Sequence, residues 1–351
     1  MSRMNRVIFN LLFWSSGLYL VNVFSVSPIY IVFIFCFFMF IIYNYKYISF
    51  PRDRLTLDIL FLIVYVLISQ IRFRNYVLTF IFLFQFFYFF LIRMVILKID
   101  INYINKFSLR KFIQLNKVLL LMECITRLVY PYVHNFLLDD YYNFKKYSIM
   151  YPDSNYVASY IICILGFLSY VYCEKKQYMF DVFNVLTLCK ASVLTRVIIF
   201  FYRKINKYLK ILILLILTIG IYKLLGNTWT WKSKFLIIDS VVDYIKNSAT
   251  LCDFLFGIGL GNTVNKIGIG PHIIFVGIFF ELGLFGGILF LLIWLDIYKY
   301  SNKKASFVIL PMLISGVSFI PQYIPYFYVF CALIIRNEKN IINKKEEINE
   351  I

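Results

Sequence analysis

Residues 253–287 read DFLFGIGLGNTVNKIGIGPHIIFVGIFFELGLFGG. A glycine-rich polar loop carries His272, one of only two histidines, and runs straight into a long apolar helix holding Glu281. An apolar run of this length marks a membrane span, an unusual place for Gly, Pro, His and Glu. Irregular backbone at the edge of a bilayer survives only where it is buried in protein or lines a polar cavity. The stretch therefore reads as the rim of an active site on the non-cytoplasmic side. Gly257, Gly259 and Gly261 permit tight turns or close backbone approach, and helical rise puts Glu281 ~13 Å deeper than His272.

The composition around this stretch agrees. The chain has 351 residues, 62% hydrophobic and 21% aromatic, with only 15% charged, and a mean hydropathy of +0.78. Soluble domains are nearer half apolar. The long continuous runs exclude a β-barrel, whose strands alternate. The class is all-α, a polytopic integral membrane protein. The net charge of +18 is assigned to loops between spans rather than to nucleic acid, because cytoplasmic loops collect Lys and Arg. The seven cysteines show no CxxC and mostly fall in apolar runs, so they read as small core residues. The first apolar stretch is expected to be a retained helix rather than a cleaved signal.

Apolar runs fall at 7–24, 28–45, 55–71, 76–97, 112–130, 154–173, 178–190, 191–203, 208–226, 272–297, 305–320 and 321–335. With the N-terminus inside, the loops near 46–54, 98–111, 174–176, 203–210 and 299–304 are also inside. So is the tail from Arg336. Each is basic or Lys-bearing, so about 12 transmembrane helices with both termini cytoplasmic is the consistent solution. The expected organisation is one transmembrane domain over 1–335 and a polar, frayed tail over 336–351. Residues 178–203 and 305–335 could each be one span rather than two. Outside loops fall at 131–153 and 227–271, the latter before the tenth span. Within it, Phe235 to Ile245 has apolar residues near helical spacing and reads as a helix lying on the membrane surface. Trp229 and Trp231 suit the interface, or stacking on a sugar ring.

Several polar residues could carry chemistry. Arg196 lies in KASVLTRVIIFFY, placed near the outer face. Its guanidinium could grip phosphate oxygens bidentately, or simply pack and snorkel. Lys232 and Lys234 open the surface helix in an outside loop that is basic against the trend. An anionic substrate or lipid headgroups would explain that equally. His272 could take a proton from a hydroxyl, or cap the helix that follows. Glu281 is expected to pair with a buried arginine such as Arg127 or Arg93, and Glu123 with Arg127 as an i,i+4 pair. No metal-binding motif, dinucleotide fingerprint or serine-enzyme pattern occurs.

Three segments together resemble the O-antigen polymerase and ligase superfamily of bacterial membrane glycosyltransferases. These are Tyr151-Pro152-Asp153-Ser154-Asn155-Tyr156-Val157-Ala158, Ala191-Ser192-Val193-Leu194-Thr195-Arg196, and Leu255-Phe256-Gly257-Ile258-Gly259-Leu260-Gly261-Asn262. The last is followed by His272 and by Glu281-Leu282-Gly283-Leu284-Phe285-Gly286. The third is the most specific, and the three cover about 150–290. Two departures stand out. Ile273 replaces the Asn expected after the histidine. Lys232 or Lys234 stands where an arginine commonly precedes the surface helix, which loses fork geometry.

The resemblance implies a multi-pass protein of the bacterial cytoplasmic (inner) membrane using no cofactor or metal. It implies a polyprenyl-diphosphate-linked oligosaccharide as substrate and membrane lipids as surroundings; a chain-length regulator is a further candidate partner, which the sequence itself does not indicate. The implied activity joins repeat units into O-antigen or capsule-type polysaccharide at the outer face. The alternatives are ligase-type transfer of the finished glycan, as in lipopolysaccharide, or a lipid-linked oligosaccharide flippase. Arg196 and His272 would be the catalytic pair. Arg196, Lys232 and Lys234 would hold the diphosphate, while Gly257, Gly259, Gly261 and Glu281 support the loop and helix.

Overall fold

A computed structural model of the chain describes residues 2–18, 26–48, 50–133, 148–151, 154–172, 177–204, 229–316 and 324–349. Every regular element among them is helical. Besides short helical turns at Tyr45–Tyr47, Ile101–Tyr103 and Ile104–Ser108, they are α1 (Ser2–Ser15), α2 (Pro28–Asn44), α3 (Arg54–Ile71), α4 (Tyr76–Ile96), α5 (Leu109–Val133), α6 (Ser154–Tyr172), α7 (Tyr178–Leu186), α8 (Lys190–Lys204), α9 (Trp229–Asn247), α10 (Leu251–Phe256), α11 (Thr263–Ile267), α12 (Ile274–Tyr300), α13 (Ser306–Ser315) and α14 (Pro325–Asn349). Four of these are long and apolar enough to cross a membrane: α3, α4, α6 and α12.

The pattern of α3 shows why its exterior is that of a membrane protein. Leu57, Leu60, Phe61, Val64, Leu67, Ile68 and Ile71 recur at helical spacing and are exposed. Leu55, Ile59, Leu62, Ile63 and Val66 cover the opposite face and are buried. A helix apolar all round, with half its girth uncovered, needs an apolar solvent. Its buried face packs on α12, and α4 packs on α14, while α6 packs on α13. The shared core is largely aromatic. Phe13 stacks on Phe112 at 4.3 Å and Phe167 on Phe330 at 4.8 Å.

Polar contacts sort the two ends of the bundle. At one end Asn5 and Asn44 exchange side-chain amide hydrogen bonds, and Arg6 lies over the Tyr103 ring. There Arg93 pairs with Asp53, and Lys339 reaches the same carboxylate at 3.8 Å. The Arg54 amide donates to the Tyr300 hydroxyl, and the Tyr170 hydroxyl donates to Glu338. The segments expected inside near 46–54, 98–111 and 299–304, and that from Arg336, therefore share one end. Gln70, Asn75 and the glycine loop share the other.

Asp53 caps α3 by accepting from the Thr56 amide. Burial works against its charge, but Arg93 and the Thr56 donors prevail and hold its carboxyl below the ordinary 3.8. A depressed folded pKa contributes stability that is complete above 3.8 and lost as pH falls through the folded value. Thermal unfolding should show a gap between the wild type and Asp53→Asn that is constant above about pH 5 and narrows steadily from there towards pH 3. A gap that stays constant to pH 3 would remove Asp53 as its source.

Three expectations need correction. The α7 helix has nine residues, ~13 Å of rise, against a hydrocarbon core of ~30 Å. It cannot be a full span. With Leu188 at a left-handed φ of 55° in the turn, α7 and α8 form a hairpin that returns the chain towards the end it came from. Secondly, residues 336–349 are helical rather than frayed, because α14 continues to Asn349. Glu338 and Lys339 pin it to Tyr170 and Asp53, and Lys and Glu favour helix. Thirdly, Glu281 pairs with neither candidate arginine. Arg127 is held by Glu123 at 2.6 Å, and Arg93 by Asp53. The 208–226 span, most of the 131–153 loop and the Trp229 and Trp231 side chains lie outside the described residues.

Candidate functional site

The site is built on a break in α12. Gly283 adopts φ 69°, ψ −175° inside the helix, so the carbonyls of the preceding turn lose their helical donors. Each finds another. Ile258 donates its amide to the Phe280 carbonyl at 3.2 Å, and Gly259 to Glu281 at 3.0 Å. The Tyr65 hydroxyl donates to the Leu282 carbonyl at 2.5 Å. Backbone groups freed at membrane depth require such partners. The glycine loop thus docks edge-on against the broken helix.

Two glycines allow this approach. Gly257 ends α10 at φ 82°, and a Cβ there would stand 2.3 Å from the Glu281 carbonyl oxygen. A Cβ on Gly283 would stand 2.3 Å from the Gly257 nitrogen. The two backbones touch where side chains would sit.

Glu281 locks the loop in place. It is buried, and its carboxylate accepts from the Thr263 hydroxyl at 2.7 Å and from the Gly261 and Thr263 amides. On the far side of the loop, Gln70 accepts from the Leu260 amide at 2.8 Å and Asn75 donates to the Leu260 carbonyl at 3.0 Å. The loop is therefore held by α12 on one side and by the α3–α4 turn on the other.

The rim is polar and mostly cationic. His272 is exposed, just before α12. Arg72 is 60% exposed, 4.0 Å from Asp253 and 3.6 Å from the Cys252 sulfur. Lys266 lies over the Tyr244 ring at 5.8 Å. Asp253 is raised by partial burial, but the Thr250 donors and the charges of Arg72 and Lys266 bring its carboxyl below the ordinary range. Beside the loop, between α9 and the first half of α12, lies an apolar cleft of about 370 Å³. Ile238, Val241, Ile245, Phe275, Phe279 and Phe280 line it. The expected amphipathic segment 235–245 is thus part of a longer helix whose apolar face forms one wall of this cleft. Among the described residues no three His, Cys, Asp or Glu side chains gather as metal ligands would.

The structure does not bring the sequence candidates together as one set. Gly257, Gly259, Gly261, Glu281 and His272 share the loop. Lys232 and Lys234 begin α9, ~15–18 Å of helix away from Tyr244, which meets the loop. Arg196 lies towards the end opposite the glycine loop, whereas the expected topology put it on the loop's side. It donates to Asp181 at 2.7 and 3.2 Å and to Gln177 at 3.0 Å. Gln177 in turn bonds Ser169, next to the Tyr170 that reaches Glu338. Its fork is thus filled by protein acceptors. Arg196→Lys should lower thermal stability by about 1 kcal/mol through lost fork geometry and leave substrate affinity unchanged. A raised KM with normal stability would return Arg196 to the substrate site.

Sequence reasoning missed Tyr65, Gln70, Arg72, Asn75 and Thr263. One signal was present: RFRN at 72–75 puts two arginines in a short turn expected outside, against the usual charge bias. Nothing in sequence marks the hydrogen-bonding roles of the others. No protein-family model matches the chain, and neither a curated protein nor a solved structure matches it.

Proposed function

We propose that the chain is a metal-independent membrane glycosyltransferase, a polysaccharide polymerase joining polyprenyl-diphosphate-linked repeat units at the outer face of the bacterial cytoplasmic membrane. The observation that carries this reading is the juxtaposition of an apolar cleft with a clamped polar loop whose rim is cationic. A lipid-linked donor needs both: hydrocarbon walls for its tail, and positive charge where the diphosphate leaves. The resemblance in the 255–286 region to the O-antigen polymerase and ligase superfamily supports the same assignment.

In this reading the polyprenyl chain lies in the cleft, and Arg72 and Lys266 face the diphosphate in place of Arg196. A sugar hydroxyl of the acceptor attacks the donor's anomeric carbon. The carbon–oxygen bond to the diphosphate breaks, the diphosphate leaves with the bonding pair, and His272 takes the hydroxyl proton. Glu281 is a positioning residue that fixes the loop carrying this rim. A multi-pass topology with both termini cytoplasmic belongs to the same proposal, with the α7–α8 hairpin entering and leaving on one side in place of the two spans expected there.

His272→Ala should lower turnover by about 10²-fold or more while donor affinity stays within about twofold. Equal losses in both would remove the base assignment. The function itself is tested by gel analysis of surface polysaccharide from a strain lacking this gene, with and without its restoration. Collapse of a ladder to one attached repeat supports the polymerase. Loss of attached sugar with lipid-linked polymer accumulating identifies ligase-type transfer instead, and an unchanged ladder rejects both.

A further inference from the structure

The end of the bundle opposite the glycine loop holds a second hollow, of about 210 Å³. That is several times the ~30 Å³ of one water in the liquid. It lies where the start of α3, the end of α4 and the middle of α14 meet. Four cationic side chains line it, Arg52, Arg93, Arg336 and Lys339, against one carboxylate, Asp53. Arg93 is committed to Asp53 and to the Thr56 hydroxyl, and Lys339 reaches the same Asp53 carboxylate. The one carboxylate offsets one of the four positive charges, with Arg93 its nearer partner, so Arg52, Arg336 and Lys339 are left as a surplus. Arg52 is exposed, and the buried Nε of Arg336 has no hydrogen-bond acceptor among the described residues.

A buried donor without an acceptor is costly, and a surplus of like charge around an apolar-floored hollow is costlier. Ile96, Leu97, Ala332 and Ile335 supply that floor. A planar guanidinium beside an ammonium suits phosphate oxygens. Basic hollows between membrane helices on the cytoplasmic side suit anionic headgroups. The positive-inside pattern puts this end in the cytoplasm. Leu97, exposed at the edge of the hollow, offers an apolar surface to a neighbouring chain.

We propose that this hollow binds a phosphate group, gripped by Arg336 and Lys339 with Arg52 at its mouth. The site is separate from the glycine loop and does not depend on the reaction proposed for it. The phosphate can belong to an anionic phospholipid or come free from solution.

The test uses the full chain in phosphatidylcholine nanodiscs with and without phosphatidylglycerol, read by native mass spectrometry of retained lipid and by thermal midpoint. Inorganic phosphate is titrated in parallel. Retention of phosphatidylglycerol about tenfold over phosphatidylcholine, lost in the Arg336→Gln/Lys339→Gln variant, is the expected result for a lipid headgroup. A midpoint raised by inorganic phosphate in pure phosphatidylcholine, and insensitive to phosphate in that variant, assigns the site to free phosphate. Arg52→Gln, at an exposed position, guards against misfolding. It should weaken either response while keeping the wild-type midpoint in phosphatidylcholine without phosphate. Equal retention of the two lipids with no response to phosphate overturns the proposal, as does a response that survives these substitutions.

Discussion

Glu123→Ala should cost about 3–5 kcal/mol of stability, the usual penalty for stranding one partner of a buried ion pair. Both side chains are 2% exposed, and Arg127 donates through Nε and Nη2 to a single oxygen of Glu123, at 2.8 and 2.6 Å. The other oxygen accepts from the Ile149 amide at 2.9 Å, so the carboxylate also ties the 148–151 segment to α5. Removing it leaves a guanidinium in an apolar interior, where a lone charge is expensive. The Glu123→Ala/Arg127→Met double variant should recover most of the loss, because an apolar pair avoids the uncompensated charge. Unfolding in mixed micelles separates these outcomes. A double variant as unstable as the single would mean that the Ile149 tether, not charge, sets the cost.

Gly257→Val should abolish activity and cost about 3 kcal/mol or more. Two penalties add. A β-branched residue is strained at φ 82°, and its Cβ would meet the Glu281 carbonyl at 2.3 Å. That obstacle is backbone, held by the Gly259 amide, and cannot swing aside. Gly268→Ala is the matched control. It has a similar φ of 72° but nothing within 4 Å of its Cβ, so only the left-handed penalty of about 1–2 kcal/mol applies. Comparable losses in the two variants would show that backbone strain, not close docking of loop and helix, governs the site.

The helical class, the apolar exterior and the four long helices were legible because run length and composition report burial in lipid directly. The runs at 55–71, 76–97, 154–173 and 272–297 fall within three residues of α3, α4, α6 and α12 at either end. Run length fails where a helix is short but flanked by apolar residues, which is how α7 passed for a span. Pairings across the bundle were less legible. Asp181 was the one acid in the short apolar run before Arg196, yet nothing in composition says that the chain folds back there. The partner of Glu281 could not be read either. A glycine that breaks a membrane helix is written the same way as one that merely packs, and without the break Thr263 lies nowhere near Glu281. The glycine loop was found because its residue types are costly in a membrane. The turn that braces it, Gln70 to Asn75, was overlooked because amides in a short loop are ordinary.

The break at Gly283 looks at first like a place for α12 to flex. Its loose ends, however, are fastened by two different parts of the chain: the 258–259 amides on one side and the Tyr65 hydroxyl on the other, which also lies 3.3 Å from the Phe256 carbonyl. A joint gripped from both sides transmits displacement instead of absorbing it. A displacement of α3 would therefore be passed through Tyr65 to the break and to the glycine loop docked on it, rather than being taken up as a bend in α12.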